Sequence, residues 1–309
     1  MKVIFRQKQS PGDIIVMTGA IRDLKKQHPE YEIMADTTAM DVWLGNPHLT
    51  FFDHKEADQV HYLDYNDIHN SGKSGRHFSS AFHLSVSQKL GIDLKQSSIY
   101  PDLHIKSAPV NPLLDEHHGY AGKYWILNAG YKDDFPLKDW GRDNYQKLVD
   151  LLKNKVKLVQ VGELSLSHKH SPIDGALDLV GKTSMGQFLE LCAGAEGSVG
   201  PVSMHSHVMA GYRKPCVVIN GGREPYRWEA YPNQRYIHTN GCLPCCSGDG
   251  CWKNYLTEDQ VPDYKKENEK DWRNQLCKDP VGGTSHCMSM ITPEMVAAEV
   301  MRYYDGGVL

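Results

Sequence analysis

Four of the chain's eight cysteines stand within ten residues, Cys242-Leu-Pro-Cys-Cys-Ser-Gly-Asp-Gly-Cys251, and two more follow at Cys277 and Cys287. Thiols gathered in this way can form disulfides, pass electrons or hold a metal ion. A thioredoxin-like pair needs Cys-x-x-Cys at the start of a helix. The pair Cys242 and Cys245 instead encloses a proline and runs into a glycine-rich turn. The opening MKVIFRQKQSPGD has the pattern of neither a signal nor a transit peptide. A reducing cytoplasm is therefore the expectation, and disulfides are rare there. A tetrahedral thiolate site draws two ligands from a tight knuckle and two from later chain. The stretch CCSGDGCW with Cys277 and Cys287 can supply them, and zinc and iron both accept four thiolates. Such a site would be structural, because four thiolates leave no position for a substrate. Cys192 and Cys216 sit in helical and strand patterns and are expected in the core.

The second group with chemical potential is a carboxylate. In SPGDIIVMTGAIRDLKKQHPEYEI, a Pro-Gly turn leads from a strand to Asp13 at a helix start. Asp13 can cap the helix, or it can act as a general base at the mouth of a cleft.

The elements that would position these groups alternate. KVIF reads as a buried strand, DIIVMTGAIRDLKKQH as a helix with Ile14, Met17, Ile21 and Leu24 on one face, and YEIMA as the next strand. ADQVHYL fits a further strand and HFSSAFHLSVSQKLG a helix ending at Gly91. Residues 99–122, with three prolines, read as a linker. A second alternating series runs from KYWILNAG to PCVVINGG. The pattern predicts an α/β chain with two Rossmann-like domains, 1–115 and 116–309, whose parallel sheets face a cleft. Residues 240–290 break the alternation as a Cys-rich insertion, and TPEMVAAEVMRYYD closes the chain as a helix.

The chain has 309 residues, 40% of them hydrophobic and 23% charged, and a net charge of −4. That charge does not indicate nucleic acid, and no apolar run approaches the ~20 residues of a membrane span.

The helix after the first turn is similar to the N-terminal signature of glycosyltransferase family 9, the ADP-heptose heptosyltransferases, through Gly12, Asp13, Ala20, Leu24, Pro29 and Ile33. KDWGRDNYQKLVDLL, LVQVGE and HVMAGYRKPCVVINGG resemble the family's later motifs in the same order. The resemblance covers most of the chain. It implies the GT-B fold and inverting transfer of a heptose from a nucleotide sugar, ADP-heptose above all, to an acceptor hydroxyl. It implies Asp13 as catalytic base, Lys138 and Glu163 around the nucleotide, and His207 near the diphosphate. The residues agree in kind. A helix starting near Ser203 offers N–H groups to a diphosphate, Lys138 offers charge, and Gly130 offers close backbone approach. The plain alternatives are a solvated Lys138, an exposed Glu163 and a satisfied buried His207.

The chain also departs from the family: Val202 stands where many members carry an aspartate. No Asp-x-Asp ends a strand, so a catalytic divalent metal is not expected. The Cys-Trp at Cys251 and the CMSMITPE that starts at Cys287 resemble the iron-binding cysteine finger of bacterial autotransporter protein heptosyltransferases. The ligand set that follows is Cys251, Cys277, Cys287 and either Cys245 or Cys246, with Cys242 outside it. The partners implied are a nucleotide-sugar donor and a glycan, lipopolysaccharide or protein acceptor; a homo-oligomer is left open. The rival reading is a sugar-nucleotide binder, or metal-stabilised scaffold, without turnover. His77 and His83 are expected at an acceptor or on the surface, and SHKHS and DEHHGY as exposed loops. In GREPYRWEAYP, Arg223 and Glu224 could reach the nucleotide or merely pack.

Overall fold

The computed structural model describes residues 1–63, 68, 70–106, 114, 123–247 and 249–304. The chain opens with β1 (Lys2–Gln7), α1 (Pro11–Gln27) and β2 (Glu32–Thr37), then β3 (Gln59–Tyr62) and α2 (Phe78–Leu90). The strands form a parallel sheet in the order β2-β1-β3. Pro11 begins α1, where its missing N–H is no loss, and Lys25 and Lys26 lie in the last turn, where they complement the helix dipole. Every residue from Gly12 to Leu24 is buried. A helix buried all round must be packed on more than one side. Here the first sheet and α2 cover part of α1, and the second half of the chain covers the rest.

That second half comprises β4 (Trp125–Leu127), β5 (Gly130–Lys132), α3 (Arg142–Leu152), β6 (Leu158–Gln160), β7 (His168–His170), β8 (Leu177–Asp178) and α4 (Met185–Gly194). After these come β9 (Gly197–Pro201), α5 (Met204–Gly211), β10 (Cys216–Gly221) and β11 (Gln234–His238). A six-stranded parallel sheet runs β11-β10-β9-β4-β6-β8. Side chains alternate across it. Ile126 and Val218 join a core continuous with the first domain. Trp125, Leu127, Val217 and Ile219 join the opposite core, under α3 and α8 (Pro293–Tyr304). Cys192 and Cys216 are fully buried, as expected.

Between β11 and α8, residues 240–290 hold only short elements: α6 (Asp263–Asn268), the hairpin β12 (Pro280–Val281) and β13 (Thr284–Ser285), and α7 (His286–Ser289). Tyr255, Val261 and Trp272 form a small core of their own there. The parallel sheets and the α/β alternation agree with the sequence reading. SHKHS does not remain an exposed loop: His168–His170 is the strand β7, paired antiparallel with β5. DEHHGY and most of the 99–122 linker lie outside the described residues. No helix among the described residues is long and apolar enough to cross a membrane.

His83 also departs from expectation, whereas His77 is half-buried. His77 caps α2 and faces the Ala230 carbonyl of the other domain at 3.2 Å. His83 is buried, with Nε2 2.9 Å from Asp23 Oδ2 and Nδ1 2.9 Å from the Ser79 carbonyl. Asp23 is fully buried and also accepts from Arg22 Nε at 3.0 Å and the Ser97 N–H at 2.9 Å. Burial alone would raise the Asp23 pKa; the bonds from His83, Arg22 and Ser97 outweigh it and hold the carboxyl well below the ordinary carboxylate range. With the folded pKa below the unfolded one, this stabilisation is intact at neutral pH and is lost as acid protonates the group. Asp23→Ala should lower the unfolding free energy by about 3–5 kcal/mol at pH 7, because Arg22 and His83 stay buried without their partner. Urea denaturation measures it, and a loss below about 1 kcal/mol, the range of an exposed ion pair, would contradict it.

Candidate active site

Asp13 sits where β1 turns into α1. Gln7 fixes that turn: its amide donates to the Leu63 carbonyl at 3.1 Å and accepts from the Gln9 N–H at 2.9 Å. The Asp13 carboxylate accepts from the Ser10 N–H at 3.1 Å and the Ser10 hydroxyl at 2.9 Å. Ser10, not Asp13, is therefore the N-cap: α1 begins at Pro11, two residues before the expected start, and Asp13 closes a capping box from its third position. Asp13 is also only 7% exposed as a residue and lies at the junction of the two domains. The neighbouring Gly12 packs beside His207 and Met204 of the first turn of α5. Burial raises the Asp13 pKa to about 6, against the opposing pull of the Ser10 bonds and the Lys138 and Lys132 charges. A carboxyl with that value divides between acid and base close to neutrality.

Lys138 ends a short turn, Pro136–Lys138, that follows β5. It is not a solvated surface lysine: its side chain is 23% exposed and its ammonium is 2.8 Å from Glu224 Oε1. Glu224 is also ion-paired with Arg223, both nearly buried. Arg223 Nε donates to the Lys253 carbonyl at 2.7 Å, and its guanidinium lies over the Phe135 ring at 4.8 Å. Glu229, buried in the same cluster, has its pKa pushed up by burial and then by the negative Glu224. Two cations and two carboxyls thus meet here, close enough to Asp13 for Lys138 to act on it.

Ser203 precedes α5 and its hydroxyl accepts from Asn128 Nδ2 at 2.7 Å, linking the end of β4 to the helix start. His207 lies in the first turn of α5 but is buried, 3.0 Å from the Tyr231 hydroxyl through Nδ1. Burial brings its pKa down to about 3, so it is neutral at pH 7 and carries no charge for a diphosphate. Gly130 has a packing reason to be glycine: a Cβ there would lie 2.3 Å from His170 Nδ1. Glu163 has a 66% exposed side chain, with His168 at 3.6 Å, apart from the buried cluster. The sequence offers Arg223 and Glu224 either as nucleotide contacts or as packing and does not single out Glu229, Asn128 or Tyr231. The signal for Glu229 was an acidic residue inside the aromatic run YRWEAY just after a strand.

Five thiols line one small cavity of about 20 Å³: Cys245, Cys246, Cys251, Cys277 and Cys287. That volume suits a single water-sized occupant. Cys242 is exposed and outside it. Cys246 Sγ donates to the carbonyls of Thr239 at 3.3 Å and Leu243 at 3.5 Å. Burial raises the thiol pKa of Cys245, Cys251 and Cys277, and Cys287 is among the neighbouring thiols that raise each of the three further. No three of these sulfurs lie mutually within 4.8 Å. Tetrahedral bonds of ~2.3 Å place sulfurs ~3.8 Å apart, so an ion here would draw the thiols inward.

The sequence model of glycosyltransferase family 9 (heptosyltransferase) matches residues 37–255. The chain belongs to glycosyltransferase family 9. It is therefore a glycosyltransferase, and the junction just described is where such a protein's chemistry would be sought. No curated protein matches it by sequence. Among solved structures it is similar to the iron-containing dodecameric heptosyltransferase TibC of enterotoxigenic E. coli, solved in complex with ADP-D-β-D-heptose. There the TM-score is 0.66 at 16% identity, over 99% of this chain and 76% of that one. A family 9 glycosyl transferase from Veillonella parvula gives a TM-score of 0.63 at 15% identity, over 98% of this chain and 97% of that one. E. coli ADP-heptose lipopolysaccharide heptosyltransferase II gives 0.56 at 14%, over 97% and 98%. At these identities the likeness establishes the GT-B-like fold.

The raised Asp13 pKa has a consequence for stability. The folded value of about 6 lies above the ordinary 3.8. The folded state therefore holds the proton more tightly, and stability falls as pH rises between those values. Asp13→Asn removes the penalty while keeping an oxygen for Ser10. We expect the variant to be more stable than the parent above pH ~6, by up to about 3 kcal/mol, with the gain vanishing towards pH ~4. Thermal denaturation across that range measures it, and a gain independent of pH would contradict the assignment.

Proposed function

We propose that this family 9 enzyme transfers a heptose, with inversion, from ADP-heptose to an acceptor hydroxyl, with Asp13 as the base. The observation that carries the reading is the buried Asp13 carboxyl at the domain junction, with a pKa near neutrality and Lys138 acting on it. The acceptor hydroxyl gives its proton to Asp13 as its oxygen attacks the anomeric carbon. The bond from that carbon to the diphosphate oxygen breaks, and its electron pair leaves with ADP. Negative charge then grows on the diphosphate. The first-turn N–H groups of α5 after Ser203, with Lys138 and Arg223, are the groups available to meet it. Before the donor arrives, Glu224 holds both cations. The donor phosphates would take over part of that pairing. His207 serves by packing and by its bond to Tyr231, and Gly130 by letting β7 approach β5. Glu163 is left to a peripheral contact with the nucleotide. The ADP-D-β-D-heptose complex of TibC supports the choice of donor.

The thiol cavity is proposed to hold one structural metal ion. Cys245, Cys251, Cys277 and Cys287 are the ligands, because Cys246 is turned to two backbone carbonyls. The ion would supply a cross-link and no reaction step. Iron is favoured by the iron-containing TibC. The cross-link matters to the site because the same segment supports it. The Cys251 N–H donates to the Gly222 carbonyl at 3.2 Å, and the Asn254 carbonyl accepts from Leu137 N–H at 3.1 Å, beside Lys138.

One observation favours the non-catalytic reading. Val202, in the place of the family's usual aspartate, is buried in the core shared by the two domains and offers no polar group. Incubation with ADP-heptose and a hydroxyl acceptor separates the two. We expect steady ADP release that Asp13→Ala lowers by at least about a hundredfold, the scale of a lost general base. Tight binding without turnover would instead favour the binder. Elemental analysis of purified protein should find one iron per chain, retained in Cys246→Ala and lost in Cys287→Ala. Equal retention in both would overturn the ligand set.

A further inference from the structure

A second group of metal-ligating side chains lies apart from the thiols and from Asp13. His48, Asp102 and His104 are the one set of three among the described residues whose ligand atoms all fall within 4.8 Å of one another. Both imidazoles present Nε2 to the same oxygen, Asp102 Oδ2, at 2.8 Å from His104 and 3.3 Å from His48. Ligands bound at ~2.0–2.1 Å around a tetrahedral zinc stand ~3.3 Å apart. Both separations from Asp102 Oδ2 are therefore near the spacing an ion demands and the third pair is within 4.8 Å, whereas no three sulfurs of the thiol cavity meet even that bound.

The backbone holds this arrangement in place. The Asp102 N–H donates to Thr18 Oγ1 of α1 at 2.7 Å, and the His48 N–H to Asn46 Oδ1 at 2.9 Å. Gly45 turns the chain with φ of 71°, and His104 Cβ lies 3.7 Å from where a Cβ would stand on it. Arg22 is 3.9 Å from the other carboxylate oxygen, Oδ1, and is committed to Asp23 and to the Tyr100 and Ser98 carbonyls, while Lys26 is a further cation acting on His48. The Oδ2 side is thus left to the two histidines. The side chains are 15%, 19% and 30% exposed for His48, Asp102 and His104, so water can reach the fourth position.

We propose that His48, Asp102 and His104 bind a divalent transition-metal cation of the zinc class, with solvent completing the coordination. Two neutral imidazoles and one carboxylate are the donor set such an ion prefers, and calcium or magnesium would want more oxygens. The ion would join the loop after β2 to the strap of residues 97–106. That strap also carries Tyr100 beneath the Arg213 guanidinium, 3.3 Å from its carbon, and Leu103 against Gly211 of α5. A cation here would therefore stiffen the connection between the domains through residues other than those of the thiol cavity.

The test uses the full chain with zinc alone as the probe. Wild type and His48→Ala/His104→Ala are dialysed against the same free zinc and analysed for bound metal, with circular dichroism confirming the fold. The expected result is one zinc fewer per chain in the variant, with a zinc-dependent rise in melting temperature larger in wild type than in the variant. Equal zinc content in two folded proteins would overturn the proposal and leave a hydrogen-bonded trio only. If the variant does not fold, a zinc-soaked crystal of wild type decides. An anomalous peak among the three side chains supports the site, and a peak confined to the thiol cavity overturns it.

Discussion

Burying the Asp13 carboxyl at the junction of the two domains is the condition on which the rest of the site depends. A carboxylate taken from water costs free energy, and the protein meets that cost only in part, through the Ser10 bonds and the Lys138 and Lys132 charges. The remainder appears as a raised affinity for a proton, the property a general base at neutral pH needs. The burial itself comes from α1, a helix covered on all sides because the second domain packs where a surface helix would meet water. The chemistry proposed for this chain is thus a by-product of how the two halves touch.

The Cys-rich segment belongs to the same arrangement. It has only a three-residue core of its own, too little to fix a fifty-residue stretch. Yet its backbone holds Arg223 through Lys253, the Lys138 turn through Asn254, and the first domain through Trp252, whose ring fills the space beside Gly72. Trp252 takes a left-handed φ of 55° to do so, a conformation that persists only where the surroundings enforce it. A metal ion among the thiols would supply that enforcement from behind.

Much of this was legible in the sequence, and the reasons are physical. Strand and helix patterns survive because each element buries a regular face. The helix start shows because a proline and a carboxylate favour a first turn, although Pro11 and Gly12 fall inside α1 and not in a turn before it. The five thiols that line one cavity are the five the sequence offers as ligands, while Cys242 of the same cluster stays outside, so clustering alone does not fix the set. Partnership between distant residues was not legible. Nothing local marks Lys138 as the partner of Glu224, His83 as the partner of Asp23, or β7 as the mate of β5. His207 shows the same limit: its place near a helix start was readable, but its burial against Tyr231, which removes its charge, was not.

The pH dependence of kcat/KM for wild-type enzyme tests the central claim most directly. If the buried Asp13 carboxyl is the base, the rate should be level above pH ~6 and fall about tenfold for each unit below it, following one ionisation near the value of about 6 that burial imposes. A rate that stays level from about pH 8 down to about pH 5 would show that no group with that ionisation takes the proton, and Asp13 would then be one half of a capping box and nothing more.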